Sequence, residues 1–480
     1  MGVSTPISLS NGFYQSESLP VASQVLQNMY VNIPETQGIS DAQLFPAPGL
    51  VELAYSGDNE INRGAYVLDG KPYFVNGENL YRLESSDELT SLGTIEGKGR
   101  VSMADNGTQL IIIVPGTKIG YIYTVADGLT QITDGTFTDP DKAAPEIVVF
   151  IDGYFVITRG SKEFFCSNLN NGLVYDALDT GSAEADPDVI RSAHVHKNQL
   201  YIFGSETIEV FQNVGGAGFP FQRIQGFVIP KGIAAPFSVK EFDGSFVFIG
   251  QGVDESPKIY IFTGSGVAPI STTSIDFLLQ EGSGDIENAF AWSYSFRGAT
   301  FVGFSNVNGT FVYDSQASRL AGKKVWHTRE SYQLQFKNRW RANSIVTAYG
   351  KLIAGDSEGG KIGRIDNDVS TEYGVRVLRK FALQTIESNS ARMFFNSVEV
   401  VLDSGQGLED GSDPKIAMSY SDNGRVYCSE RIRSAGKVGE YSTKAKWRQL
   451  GSTDRYRIFK FEFDAPVRWV VLKVLVNIDV

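Results

Sequence analysis

Cysteine is almost absent: Cys166 and Cys428 are the only two in 480 residues, and they lie far apart. That excludes a disulfide framework as the source of stability and fits a reducing assembly compartment. Each reads as a small apolar core residue. Histidine is nearly as scarce, at three residues. No apolar run approaches the roughly 18 residues that cross a bilayer. The longest, such as Leu110–Val114, have the length of a strand, so no stable membrane insertion is expected. The opening Met1-Gly2-Val3-Ser4-Thr5-Pro6 holds neither a basic region nor an apolar block, so no secretory signal is read there. Pro6 also stands where a myristoylation signal wants Ser or Thr. A basic surplus is missing too, since the net charge is −12. Residues 375–480 carry 17 Lys+Arg against 13 Asp+Glu, or +4. The first 374 therefore carry 26 against 42, or −16. An acidic body does not grip duplex DNA, so sequence-specific DNA reading is excluded.

What the chain has is glycine, aromatics and regular punctuation. Glycine numbers 50 and the aromatic share is 12%, which suits an all-β protein with many tight turns. A short turn between two apolar-alternating runs recurs seven times: at Leu68-Asp69-Gly70, Asp105-Asn106-Gly107, Ile151-Asp152-Gly153, His196-Lys197-Asn198, Phe242-Asp243-Gly244, Phe296-Arg297-Gly298 and Ala348-Tyr349-Gly350. Successive spacings are 37, 46, 45, 46, 54 and 52 residues. A hairpin signal at that period marks a β-propeller blade, a sheet that buries its faces only by stacking on its neighbours around an axis. Six or seven blades are expected, with seven favoured, and the N-terminal segment or a terminal strand is available to complete one.

The organisation predicted is an N-terminal arm over 1–50, a β-propeller over 51–372 and a separate β-sandwich-like domain over 373–480. In the arm, Pro20 and the spacing of Val21, Val25, Leu26 and Met29 predict a short helix within 19–30. A helical turn is also predicted over Ile275, Phe277, Leu278 and Leu279. After about residue 373 the blade spacing gives way to long alternating strands, and Asp422-Asn423-Gly424 reads as a hairpin turn.

Constellations that carry chemistry are few. His194-Val195-His196 places two imidazoles on one strand face, a spacing that can seed a metal site, but no third ligand is in view. Structural histidines are the better account. Gly355-Asp356-Ser357-Glu358-Gly359 matches the pattern of a nucleophile elbow, yet a strand follows where that elbow needs a helix, so it reads as a plain turn. A glycosidase propeller needs a carboxylate pair, and no pair is selected here. No cofactor and no catalysis are expected. The stretch 315–340 reads as a long insertion, rich in cations and holding two tryptophans. Lys323, Lys324, Trp326, Arg329, Lys337, Arg339 and Trp340, with Arg341 just beyond, are its partner-interface candidates. A solvated loop with a tryptophan pinned to the propeller accounts for the same composition.

Several strings resemble the packaged-DNA stabilisation, or tail hub (tail accessory), proteins of short-tailed headful-packaging phages. They are Gly99-Arg100-Val101-Ser102-Met103-Ala104, Gly204-Ser205-Glu206-Thr207-Ile208-Glu209-Val210-Phe211, Lys231-Gly232-Ile233-Ala234, Ala268-Pro269-Ile270-Ser271-Thr272-Thr273-Ser274-Ile275 and Val312-Tyr313-Asp314. Asn28-Met29 and the run from Phe45-Pro46 to Gly49 agree near the front. The first dozen residues and much of the C-terminal region depart from the pattern. The resemblance implies a structural virion protein of the tail, assembled in the host cytoplasm as a hexameric ring beneath the portal and its adaptor. It implies a channel through which genomic DNA passes, and docking of a tail needle and tailspikes. The alternative reading is a carbohydrate-binding or glycoside-hydrolase propeller serving as a receptor-binding tail module.

Overall fold

A computed structural model describes residues 3–36, 38–57, 60–183, 188–215, 218–281, 285–332, 338–408 and 410–480. Its short helices are Thr273–Gln280, Ser315–Ala321 and a single 3-10 turn at Asp285–Asn288; nearly all other regular structure is strand.

Six blades are contiguous in sequence and antiparallel: the first four are four-stranded meanders, in the fifth Gly232–Ile233 and Lys240–Phe242 both pair with Ser245–Gln251 to make five strands, and the four strands of the sixth continue into a larger sheet. Their innermost strands are Asn62–Leu68, Ser102–Asp105, Pro145–Ile151, Ile190–His196, Lys240–Phe242 and Phe290–Phe296. The ring closes with a composite sheet. Strands Ala342–Ala348, Lys351–Asp356 and Lys361–Asp366 supply three members, and Gly49–Tyr55 from the other end of the chain pairs antiparallel with the last of them. A closure of this kind ties both ends of the ring together through backbone hydrogen bonds, so no blade edge is left open at the seam.

The recurrent turns sit where the inner strand of a sheet reverses into its neighbour. In six of the seven both central residues have positive φ, for example Asp69 (50°) and Gly70 (71°), or Lys197 (48°) and Asn198 (59°). Such mirror-image turns match the right-handed twist of the flanking strands, and they select Gly, Asn and Asp. Asp105-Asn106-Gly107 differs: Asn106 accepts from the backbone of Thr108 and Gln109 through its side chain instead.

Between blades the sheets bury aromatic and branched side chains. Tyr73, Leu80, Ile112 and Tyr121 fill the first interface, and Tyr201, Phe203, Phe246 and Phe262 fill the fourth. Each such side chain contributes about 1.5–3 kcal/mol on removal from water. A last, larger cluster runs without a break from Val247, Ile249 and Val302 in the blades, through Trp326 and Phe381, to Trp447, Phe461 and Val474 in the sandwich.

The predicted helix within 19–30 does not form. Ser23–Gln24, Leu26–Gln27 and Met29–Asn32 are strands, and Asn28 between them adopts a left-handed conformation (φ 56°) that no helix accommodates. Unsatisfied sheet edges on both sides take up this segment, and tertiary pairing overrides its helical spacing. The first fifty residues are woven into both halves of the molecule. Val3–Ile7 pairs with the terminal strand Val471–Asp479, and the hairpin of Met29–Asn32 with Gln43–Pro46 extends the same sandwich sheet. Leu26–Gln27 pairs parallel with Trp326–Arg329 of the sixth blade and antiparallel with Arg379–Ala382 of the sandwich. Blade and sandwich strands therefore join in one ten-stranded sheet through this N-terminal strand.

The predicted helical turn over 275–279 is present within Thr273–Gln280, capped by Thr272. The predicted tight hairpin at 422–424 is a wider loop: Met418 pairs with Arg431, and Asn423 folds the chain locally by accepting from the backbone of Arg425 and Val426.

The seam rests on the packing of Leu50, which is 1% exposed and belongs to the same buried cluster as Trp292, Phe301 and Trp340. Leu50→Ala is expected to lower the unfolding free energy by about 3 kcal/mol. A change below about 1 kcal/mol in denaturant titration would show that the closing strand adds little.

Candidate interaction site

The seven described partner-interface candidates of 323–341 form no single loop. Asp314 caps the helix Ser315–Ala321 by accepting from Ala317 N–H at 2.9 Å, and Gly322 ends it in a left-handed turn (φ 65°). Lys323 and Lys324 follow, both exposed. Lys323 Nζ donates to Ser10 Oγ at 3.1 Å and to Asn11, and Lys324 Nζ donates to the Ser271 carbonyl at 2.7 Å. Trp326–Arg329 is then the outer strand of the sixth blade, not an insertion.

Trp326, Arg329 and Trp340 lie inside the chain, each 1% exposed or less. Trp326 Nε1–H donates to the Ile270 carbonyl at 3.1 Å. Arg329 donates to the Pro48 carbonyl at 2.9 Å, its guanidinium sits 4.0 Å from the centre of the Trp340 ring, and Glu372 Oε1 is 3.7 Å away. Trp340 Nε1–H completes the group by donating to the same Glu372 oxygen at 2.8 Å. These side chains hold the sixth blade, the closing sheet and the N-terminal segment together, and they present nothing to an outer surface. Arg341 forms a two-pronged pair with Asp356, at 3.2 and 2.6 Å. Arg339 donates to the Asn343 side chain and lies 5.1 Å from the Phe290 ring centre. Lys337 lies outside the described residues. Lys323 and Lys324 alone of the seven described candidates keep exposed side chains, next to exposed Arg319 and Leu320.

Sequence reasoning missed the residues that organise this junction. Asn28 donates to the carbonyls of Glu330 and Leu378, both at 2.8 Å, and accepts from Glu330 N–H at 3.0 Å. One amide thus bridges the outer strand of a blade and the first strand of the sandwich. Arg379, 1% exposed, donates to the carbonyls of Ser370 and Ala465. Burial, with Arg329 nearby, pushes its guanidinium down to about 10. Burial pushes the Glu372 carboxyl up, opposed by the Arg329 charge. In the sandwich, Arg457 pairs with Asp422 at 2.6 and 2.7 Å and lies between the rings of Tyr420 and Phe395, at 4.0 and 4.5 Å. No local pattern marks these residues, because each one's partners are distant in sequence. Asn28 is the exception: its left-handed backbone belongs to Asn more than to most residues.

The paired histidines serve the blade wall. His194 Nε2 and His196 Nδ1 each lie 3.0 Å from Glu241, which bridges the fourth and fifth blades. Among the described residues no group of three or more His, Cys, Asp or Glu is placed to hold a metal ion.

Residues 5–370 match the family described as bacteriophage P22 Gp10, beta-propeller, and residues 379–479 match that described as bacteriophage P22 Gp10, beta-sandwich. The tail hub protein gp10 of Salmonella phage P22 is 23% identical over 412 residues, which is 84% of each chain. Among solved structures, the streptogramin B lyase is similar at 13% identity and TM-score 0.43, covering 66% of this chain and 96% of its own. The N-terminal domain of Nup159 is similar at 12% identity and TM-score 0.40, covering 72% and 99%. The chain belongs to the P22 Gp10 family.

Asp314 offers a test of the local electrostatics. Burial pushes its carboxyl up to about 7, whereas the unfolded chain holds it near 4. The folded protein then binds the extra proton between those values, so this group removes stability as pH rises from about 4 to about 7. Asp314→Asn is expected to keep the helix cap and to lose less stability than the parent over that window. Parallel pH profiles in chemical denaturation would contradict the assignment.

Proposed function

We propose that this member of the P22 Gp10 family is the hub of a short phage tail. Copies of it form a ring, six by the family resemblance, beneath the portal and its adaptor. The ring extends and closes the DNA channel, keeps the packaged genome in place, receives the tail needle and offers outer surface to tailspikes. It acts without catalysis.

The observation that carries this reading is the shared ten-stranded sheet. A part that transmits load between a capsid vertex and a needle needs its two halves fixed in one orientation, and a sheet continuous across both provides that. The charge distribution supports it as well, since a body of −16 over residues 1–374 lets DNA slide past without sequence-specific binding. We further assign Lys323 and Lys324, with Arg319 and Leu320, to the outer docking surface. Rim cations on an otherwise acidic body steer an acidic partner into register.

Negative-stain imaging of the purified chain mixed with a portal–adaptor complex tests the reading directly. Rings seated on the complex are expected. A chain that stays monomeric there and binds oligosaccharide would instead support a receptor-binding module. The double reversal Lys323→Glu with Lys324→Glu is expected to reduce tail assembly at least about tenfold, as loss of a rim charge pair slows association, while the thermal midpoint stays near that of the parent. Assembly at parental yield would remove these lysines from the docking surface.

A further inference from the structure

The propeller axis holds a cavity of about 270 Å³, walled by the inner strands of the six contiguous blades and of the closing sheet. Its wall is mostly neutral: Val101, Ile147, Ala193, Phe237 and Phe290 are representative. Two cations enter it, Arg100 and Lys240, and no carboxylate lines it among the described residues.

Arg100 is fixed in place. Its two terminal nitrogens donate to the Asn343 carbonyl at 2.9 Å and to Asn343 Oδ1 at 3.0 Å, and its guanidinium lies 3.6 Å from the Phe290 ring centre. Arg339 reaches the same Asn343 oxygen and the same ring from beside it, and its buried Nε has no hydrogen-bond partner. Two like charges thus meet on one acceptor. Among the described residues no hydrogen bond or ion pair engages the Lys240 ammonium. Glu241, next in the chain, turns instead to His194 and His196. Burial pushes the Lys240 ammonium down, and it pushes the Arg100 guanidinium down to about 9, with Arg339 adding to the effect. Arg100 and Lys240 are each half-buried on this wall, and a partly desolvated cation with no carboxylate beside it gains from an anion held in the cavity.

We propose that the axial cavity is a binding site for a small oxyanion of the phosphate class. The donors are of two useful kinds. Arg100 has five N–H groups in a rigid fork and gives two of them to Asn343, while Lys240 has three unused donors on a flexible stem. The cavity takes a tetrahedral anion with a few waters, a hydrated volume of roughly 30 Å³ for each water displaced. Bound there, the anion ties the second and fifth blades and, through Asn343, the closing sheet to a common charge. The ring would then be stiffer when loaded than when empty. This inference is independent of the tail-hub reading, because it concerns the axis of one propeller.

Thermal unfolding of the full chain in inorganic phosphate, against chloride at equal ionic strength, tests it. The midpoint is expected to rise with phosphate and to saturate, with sulfate competing. Lys240→Met is expected to weaken the apparent affinity about tenfold or more, the usual size for one charge-assisted hydrogen bond. Phosphate no better than chloride would overturn the proposal, and so would a Lys240→Met chain that binds phosphate as the parent does. Should that variant fail to fold, Lys240→Arg is to retain saturable binding, and its absence together with a flat parental titration would have the same force.

Discussion

Two residues, Leu26 and Gln27, close a backbone hydrogen-bond account that neither half of the molecule settles alone. The outer strand of the sixth blade, Trp326–Arg329, and the first strand of the sandwich, Arg379–Ala382, both present an edge to the same gap. Buried backbone donors and acceptors left without partners cost about as much as lost hydrogen bonds, so a strand must fill that gap. The N-terminal segment does, and from this follow the shared sheet, the continuous apolar cluster and the fixed pose of sandwich on propeller. Asn28 then turns the chain sharply enough for Met29–Asn32 to leave that sheet and join the opposite one.

The junction is also where the chain places charges it cannot solvate. Arg329, Arg379 and Glu372 are each nearly excluded from water, and several of their polar atoms find no partner. Such a group is weak support for stability, since desolvation offsets much of the attraction. Its use lies in specificity: only one arrangement of blade, closing sheet and sandwich sets Glu372 against both Arg329 and Trp340. The axial cations follow a different logic. Their partners within the chain are neutral or of like sign, which points outward to a ligand.

Much of the ring was legible because its information is local. A two-residue turn with both φ values positive favours Gly, Asn or Asp, and that preference is written at the turn itself in Asp69-Gly70, Asp152-Gly153 and Asp243-Gly244, and at its second position in Lys197-Asn198. The apolar runs beside each turn mark strands covered on both faces. The N-terminal segment was misread for the complementary reason. Val21, Val25, Leu26 and Met29 have helical spacing, but the strands that pair with Leu26 and Gln27, at Phe381 and Thr328, lie about 300 residues or more away. The stretch 315–340 left two readings open for the same reason. Its tryptophans and arginines signal concentrated contact energy, and composition does not say whether the contact lies within the chain or beyond it. For Trp326, Arg329 and Trp340 it lies within.

The central claim is that propeller and sandwich behave as one mechanical and thermodynamic body. Differential scanning calorimetry of the intact chain tests it most directly. A single transition whose calorimetric and van't Hoff enthalpies agree is predicted, as a shared core and sheet cannot unfold by halves. Two resolved transitions, one for each half, would contradict the account.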